Sequence, residues 1–342
     1  MTLHVEPFRG TEAEWDACVQ ANAGWTNFHR WGWKDIIEDV FHHDCLYLAS
    51  YDETGHLAGV LPLVRARSFL FGDYLVSMPF MNYGGPLGTA AAVQVLVQHA
   101  AEVARENRVD LLELRSREPL PLHAPVSHRK ITCVLDLEPG NAEAVWERLS
   151  SNVRRKVRRA EKEGFGVAFG LDQLDAFYGV FSRHMRALGT PTLPRRFFEA
   201  LAARFPEDIS IGCIYDGARP VAGGFGFRWG EEFELSLVSA LQDYHRTYAN
   251  MLLYWAFIER VANQGVRLFN FGRCTPGGGT HQFKQQWGSR DVPLPWYQPL
   301  AGRRAATPSP HDRAFSWGPA VWKRLPLVLA NALGPSIVRM IP

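Results

Sequence analysis

The feature that most constrains the fold of this chain is a faint internal repeat. Residues 57–78 (LAGVLPLVRARSFLFGDYLVSM) and 221–240 (VAGGFGFRWGEEFELSLVSA) both begin with an apolar residue followed by Ala-Gly, and both carry Leu-Val-Ser near the end. Strand-forming residues dominate the two segments, which is typical of β-hairpins. Because an internal repeat marks a repeated structural unit, the sequence predicts two halves with the same local architecture.

The segments that follow the two hairpins also correspond. Each hairpin is followed by apolar residues at helical spacing and then by an apolar strand, at 91–106 and 109–116 in the first half and at 249–262 and 266–273 in the second. Other helices are predicted near 11–20, 30–40, 141–162, 172–188 and 194–204, and strands at 45–52 and 209–216. We therefore expect an α/β (α+β) protein of two tandem lobes, each a mixed sheet flanked by helices. Chance similarity of two α/β halves is the alternative.

The domain boundaries follow from length and turn signals. A chain of 342 residues fits about two domains, and the turn cluster LEPGN at 137–141 separates lobes at 1–138 and 139–300. Residues 301–342 are predicted to be a linker and an amphipathic tail, in which apolar residues mix with Trp317, Trp322, Lys323, Arg324 and Arg339. Peripheral membrane contact through 314–342 is one interpretation of the tail. Packing against the protein's own core is the other.

Composition excludes several classes of protein. A net charge of +2 is too small for a general nucleic-acid binder. The five cysteines form no CxxC pair, which argues against a disulfide framework and a structural zinc site, and no His/Asp/Glu cluster has metal-ligand spacing. No signal-peptide core and no apolar run of about 18 residues is present. We therefore expect a cytoplasmic protein without a metal, located at most at the inner face of the membrane.

Four stretches resemble the FemAB-related acyltransferases, including the type that accompanies exosortase and exopolysaccharide loci. They are SMPFMNYGGPLG (77–88), SSNVRRKVRRAEKEGFGV (150–167), ALGTPTLPRRFF (187–198) and, as the most specific, FNFGRCTPGGGTHQFKQQWG (269–288). The resemblance implies that both lobes are GNAT-like and that the protein transfers an acyl group to an amine. In the peptidoglycan-bridge branch the donor is aminoacyl-tRNA, and in other branches an acyl thioester is expected.

The chain also departs from these families in ways that leave the donor open. It lacks the long helical-hairpin arm of some bridge-forming members, and QDYHRTYANM (242–251) replaces the (Q/R)xxGx(G/A) loop by which many GNAT enzymes hold a pyrophosphate. The donor co-substrate is therefore acyl-CoA, acyl-carrier protein or aminoacyl-tRNA, which makes tRNA a candidate partner, and no permanently bound cofactor is expected. The acceptor implied by the resemblance is an amine of a cell-envelope or polysaccharide-related molecule. The sequence does not assign an oligomeric state.

Lys284 and His281 are the candidate catalytic residues. Lys284 follows the segment Gly277–Gly279, where an ammonium can bind phosphate or stabilise the oxyanion of an acyl-transfer transition state. The family resemblance also implies a functional Lys in this Phe-Lys pair. His281 is a candidate general base because imidazole titrates near neutral pH. A solvated lysine and a structural histidine are the alternatives.

Three regions carry candidate substrate-binding residues. Arg273 ends a predicted strand, where α/β sheets commonly open onto a site, although an internal salt bridge is an alternative. His245, Tyr248 and Asn250 precede or open a helix whose free N–H groups can meet an anion, with helix capping as the alternative for Asn250. In the first lobe, Asn82 and Tyr83 are placed on an inner loop that could contact the acceptor, next to glycines that could simply shape a turn.

The dense basic run at 154–159 is a candidate docking site for a charged donor. Helical spacing places Arg154, Arg155 and Arg158 on one side, and Lys156 and Arg159 on another. A tRNA or a nucleotide-linked molecule could bind the first group, and a solvated helix face is the alternative.

Two functions of different class remain. The first is an N-acyltransferase, and the second is a non-catalytic GNAT-like scaffold that the tail recruits to a membrane-bound exopolysaccharide or envelope assembly complex. The glycine segment with FKQQWG at 283–288 favours the enzyme, because a scaffold has little need for that cluster.

Overall fold

The structure is a computed structural model that describes residues 2–68, 72–301 and 318–341. The chain divides into two compact lobes. Within the described residues, the first lobe comprises 2–129, 294–301 and 336–341, and the second comprises 130–293 and 318–335. Most of the predicted linker and the start of the tail, at 302–317, lie outside the described residues.

The strands and helices follow one another along the whole described chain. The strands are β1 (His4–Pro7), β2 (Asp44–Tyr51), β3 (Leu57–Ser68), β4 (Gly72–Val76), β5 (Leu87–Gly88), β6 (Leu111–Arg115), β7 (Val126–Ser127), β8 (Ile131–Asp136), β9 (Gly166–Phe169), β10 (Ile209–Asp216), β11 (Arg219–Trp229), β12 (Glu232–Ala240), β13 (Leu268–Cys274), β14 (Arg290–Pro293) and β15 (Trp296–Ala301). The helices are α1 (Glu12–Gln20), α2 (Gly32–Ile36), α3 (Ala90–Glu106), α4 (Ala142–Arg148), α5 (Ser151–Lys162), α6 (Leu174–Leu188), α7 (Arg195–Arg204), α8 (Ala249–Asn263), α9 (Gly279–Gln285), α10 (Gly318–Trp322) and α11 (Leu327–Val338).

The first lobe is built on one mixed sheet. Among its described residues the strand order is β1-β2-β3-β4-β6-β15-β7, with β5 paired to β3, and β4 and β6 run parallel. Helix α3 begins at Thr89, whose side chain accepts a hydrogen bond from the Ala92 N–H, as expected of an N-cap residue. Its apolar stripe, including Leu96 and Ala100, is fully buried in the lobe core, which fixes the helix against the sheet.

The second lobe repeats this plan with the order β14-β8-β13-β12-β11-β10-β9. Helices cover both faces of the sheet. A Cβ on Gly223 would meet Phe177 of α6, and a Cβ on the next residue, Gly224, would meet Phe257 of α8. Because neighbouring strand residues point to opposite faces, α6 and α8 lie on opposite sides of the sheet.

The structure confirms the predicted repeat. In each lobe a hairpin (β3–β4 or β11–β12) is followed by a long helix (α3 or α8) and by a strand (β6 or β13) that pairs parallel to the second hairpin strand. One predicted helix differs, because 141–162 divides into α4 and α5. Ser150 causes the break, since its side chain accepts a hydrogen bond from the Val153 N–H and starts a new helix there.

The lobe boundaries differ from the predicted 1–138 and 139–300. Strand β8 precedes the predicted boundary but pairs with β13 and β14, so it belongs to the second lobe. Strand β15 lies in the predicted second lobe but pairs with β6 and β7 of the first. Short strands of this kind are assigned by partners that lie far away in sequence, which a local turn signal does not register.

Candidate active site

The candidate site of the second lobe lies where two parallel strands stop pairing. Hydrogen-bonded pairing between β12 and β13 ends at Glu234 and Asn270, although the strands continue to Ala240 and Cys274. We call this point the strand opening. The Asn270 side chain donates to Glu232 Oε1 over 2.9 Å and accepts from the Gly272 N–H. Polar side chains therefore occupy a sheet interior that is otherwise apolar.

Glu234 is the buried acid of the strand opening. Its side chain is almost fully enclosed, and burial raises its pKa to about 7. The Ser236 hydroxyl donates a hydrogen bond of 2.7 Å to Glu234 Oε1 and opposes this shift, whereas the neighbouring Glu232 adds to it. A carboxyl group with this pKa exchanges its proton near neutral pH, as a general base requires.

Lys284 is a buried lysine, not a solvated one. It lies on α9 with 3% of its surface exposed, and its Nζ donates to the carbonyl oxygens of Gly272 (2.6 Å) and Arg273 (2.9 Å). Gly272 has a positive φ of 71°, so Lys284 holds an irregular segment of β13 directly beyond the strand opening. Burial lowers the pKa of the ammonium.

His281 is engaged at both ring nitrogens. Nδ1 accepts the N–H of Gly277 at 2.9 Å, and Nε2 lies 2.9 Å from the Asp291 carboxylate. Because Nδ1 accepts, the proton is assigned to Nε2, which donates to Asp291. The imidazole therefore lacks the free lone pair of a general base, and in this geometry it positions the glycine segment against β14.

Three side chains that could ligate a metal ion, one of them His281, lie close together at this place. Donor atoms of Cys133, His281 and Asp291 lie within 4.8 Å of one another, and Cys133 Sγ is 3.6 Å from Cys274 Sγ. Sequence spacing could not reveal this group, because Cys133 is more than 140 residues from the other members. With its Nε2 protonated, however, His281 offers no lone pair to a cation in the observed arrangement.

The N-terminus of α8 follows β12 through a 3-10 turn, Gln242–Thr247, that exposes His245. Tyr248, with φ of 60°, is the N-cap residue of α8. The capping alternative for Asn250 is therefore wrong, because Asn250 lies in the first turn itself. Its contact with a substrate stays a prediction. The Arg159 guanidinium lies 5.4 Å from the centre of the Tyr248 ring, which places α5 beside this helix terminus.

Five of the six basic residues of α5 line one pocket of about 350 Å³. We call them the basic face: Arg154, Arg155, Arg158, Arg159 and Lys162. Arg159 thus joins the side on which Arg154, Arg155 and Arg158 were predicted, whereas Lys156 points elsewhere and donates to Gln286 at 2.7 Å. Within the part of the chain that the structure describes, no carboxylate forms an ion pair with the basic face.

Comparison with known proteins gives a family match for this region. Residues 147–307 match the family of acetyltransferase (GNAT) domains. The matched segment contains most of the second lobe, including α5, the strand opening, α8 and α9. No curated protein sequence matches the chain.

Solved structures extend the GNAT likeness to both lobes. FemX matches with a TM-score of 0.67 and 12% identity over 88% of this chain and 97% of its own. L-PGS from Bacillus licheniformis gives 0.58 and 13%, with 97% of each chain covered. A tandem GNAT protein of the clavulanic acid biosynthesis pathway gives 0.55 and 14%, over 90% and 100%. At these identities the likeness is one of fold, and it confirms the predicted tandem GNAT-like architecture.

Three candidates remain, one in the second lobe and two in the first. Arg273 is exposed at the end of β13, and its own backbone carbonyl accepts a hydrogen bond from Lys284. Asn82 and Tyr83 belong to the first GNAT-like lobe and are buried there, with the Asn82 carbonyl accepting from the Trp296 indole at 3.3 Å. Their predicted contact with the acceptor stays a prediction.

Glu234 is the buried residue of the second lobe that sequence reasoning missed. A usable signal was present, because Glu232, Glu234 and Ser236 alternate with Phe233 and Leu235 in a strand that helices flank on both sides. Alternating polar residues in such a strand must be buried, and a buried carboxylate is rare without a function.

Proposed function

We propose that this protein transfers an acyl or aminoacyl group from a phosphate-bearing donor to an amine. The observation that carries the proposal is the strand opening, where β12 bears a buried acid of raised pKa. The chain leads from β12 to the N-terminus of α8, and Arg159 of the basic face lies beside that terminus. The match to a GNAT domain supports the reaction class.

The donor is bound through its phosphates. The first N–H groups of a helix have no partner inside it, and the helix dipole favours an anion there. At α8 this terminus lies beside Arg159, so phosphates can meet backbone N–H groups and guanidinium groups together. Acyl-CoA, phosphopantetheine on an acyl-carrier protein and aminoacyl-tRNA all carry such phosphates, and the experiment below distinguishes them.

The reaction needs a neutral amine next to the donor carbonyl. Glu234 accepts a proton from the incoming ammonium, and the amine nitrogen then attacks the carbonyl carbon to form the new C–N bond. The C–S bond of a thioester, or the C–O bond of an aminoacyl ester, breaks, and the leaving thiolate or alkoxide takes the proton that the attacking nitrogen loses as the amide forms. Alignment of the two substrates supplies much of the rate, so no covalent enzyme intermediate is needed.

Lys284 is a positioning residue in this proposal. Its ammonium donates to two carbonyl groups of β13, and it thereby fixes the backbone that borders the opening. His281 also has a positioning role, because its Nδ1 accepts the Gly277 N–H and fixes the glycine segment. The acceptor that we propose is an amine of a cell-envelope or polysaccharide precursor, as the sequence resemblance to FemAB-related proteins implies.

The test is a matrix of three donors and several amines, followed by mass spectrometry of the products. Acetyl-CoA, an acylated carrier protein and alanyl-tRNA are each incubated with amino-sugar and lysine-containing envelope precursors. Glu234→Gln is expected to lower kcat by roughly 10²- to 10⁴-fold, the usual range for loss of a general base. The matched control is Glu259→Gln on α8, an exposed acid away from the opening that should retain wild-type turnover.

The non-catalytic scaffold is the rival outcome of the same matrix. It predicts no product with any donor and no difference between Glu234→Gln and wild type. Product formation that is equally fast in both proteins would reject Glu234 as the base, while leaving the reaction class in place.

A further inference from the structure

The tail exposes more large apolar side chains than any other described part of the chain. Seven large hydrophobic side chains of the described residues are exposed, and five of them lie in the tail or at the end of α6, where Gly189 contacts Pro319. We call these five the tail surface: Leu188, Val321, Val328, Leu329 and Leu333. Val328 is the most exposed of them, at 78%.

Helix α11 packs on its lobe through small residues and leaves several of its large apolar side chains exposed. The residues it buries include the small Ala330 and Gly334, one helical turn apart, while Leu329 and Leu333 are half exposed. Gly334 lies so close to Thr192 that a Cβ would be 2.9 Å from the Thr192 nitrogen. A soluble helix normally turns its large apolar side chains inward. This arrangement instead leaves the tail surface uncovered by the residues that the structure describes.

The tail is nevertheless held in place. Arg186 Nε donates to the Leu325 carbonyl oxygen at 2.6 Å, just before α11 begins. Together with the close contact at Gly334, this bond fixes the helix so that Val328, Leu329 and Leu333 face outward. A rigidly presented apolar surface binds with less loss of conformational entropy than a flexible segment.

The charged side chains of the tail itself all have one sign. Lys323 and Arg324 are exposed between α10 and α11, Arg339 is exposed after α11, and no Asp or Glu occurs from 313 to 342. Apolar side chains that are flanked by cations, with no acidic residue among them, complement a surface that has an anionic outer layer and an apolar interior. A bilayer that contains anionic lipids has this chemistry. No described helix is long and apolar enough to cross it.

We propose that the tail surface docks on the face of an anionic lipid bilayer, with Val328, Leu329 and Leu333 in the acyl boundary and Lys323 and Arg324 at the headgroups. This contact lies outside the strand opening and does not depend on the acyl-transfer reaction. It brings the protein to the surface on which envelope precursors are carried.

The experiment is sedimentation of the full-length protein with vesicles of phosphatidylcholine, alone or with phosphatidylglycerol. We expect binding to the mixed vesicles, weakening at high salt, and a loss of at least about tenfold in the triple variant Val328→Ser, Leu329→Ser, Leu333→Ser. Lys323→Gln with Arg324→Gln should remove most of the preference for anionic vesicles. Val167→Ser, an exposed apolar residue of β9, is the matched control and should bind as wild type.

Three outcomes would overturn the proposal. They are an absence of wild-type binding to either vesicle, unchanged binding of the triple variant, and a wild-type dimer in light scattering that the triple variant abolishes. The last result would assign the tail surface to a second copy of the chain. Thermal denaturation of each variant checks that the fold is retained.

Discussion

At the scale of single residues, Glu234 couples the candidate chemistry to stability. Its pKa rises from 4.5 to about 7 because the folded lobe buries the carboxyl group. The folded state therefore holds a proton that the unfolded chain releases, and folding is favoured at low pH. This contribution is complete below pH 4.5 and is lost as the pH rises through about 7, with a magnitude on the order of 3 kcal/mol.

Glu234→Gln is expected to flatten this pH dependence. The amide has no proton to release, so the decline in the free energy of unfolding between pH 5 and pH 8 should become smaller than in wild type. Urea denaturation at several pH values measures the difference. Equal slopes in both proteins would show that Glu234 does not titrate in this range.

Lys284 leads to a second expectation at this scale. Lys284→Met keeps the aliphatic stem but leaves the carbonyl groups of Gly272 and Arg273 without their donor, which costs about 1–3 kcal/mol for a buried group. If the lysine positions the strand opening, kcat should fall at least about tenfold at a temperature where the variant is folded, with little change in the acceptor KM.

The control for Lys284 is a variant that destabilises the same lobe elsewhere. Val261→Ala removes buried volume from α8 without touching the opening and should cost a similar free energy of unfolding. Equal kcat values in the two variants would reduce Lys284 to a purely structural residue.

At the scale of elements, α5 presents cations that form no ion pair with any described carboxylate. Arg154→Gln with Arg158→Gln should raise the donor KM by roughly tenfold at low salt and weaken its salt dependence, because screening acts on the charges that remain. Steady-state kinetics from 20 to about 300 mM salt tests this. Arg267→Gln, which removes an exposed cation already paired with Glu231, should leave the donor KM unchanged.

The elements also show what the sequence could predict. Long periodic segments such as α3 and α8, and the hairpins before them, were predicted correctly because side-chain spacing alone determines them. Strands β8, β14 and β15 were missed, because each is short and is stabilised by pairing with a distant segment. The candidate site follows the same division. Lys284 and His281 were recognised as candidates from their position after the glycine segment, but helix α9, which carries them, was not predicted. Their partners, and Glu234, depend on which strands lie side by side.

At the scale of the whole molecule, strand membership defines which fragments can fold. Fragment 130–293 retains β8 between β13 and β14, whereas 139–293 leaves both strands without this partner. Cys133 and Val134 on β8 are buried in the second lobe. We therefore expect fragment 139–293 to aggregate or to unfold at a clearly lower Tm than 130–293, as measured by circular dichroism. Equal Tm values would restore the boundary at 138.

The position of β15 has a consequence for biosynthesis. Residues 296–301 fill the place between β6 and β7, yet the ribosome adds them about 170 residues after β7. At a synthesis rate of roughly 5–20 residues per second, the amino-terminal sheet waits about 10–30 s with a gap in its hydrogen-bonded ladder. During that interval the nascent chain exposes an unpaired edge of β6, the type of surface that chaperones shield.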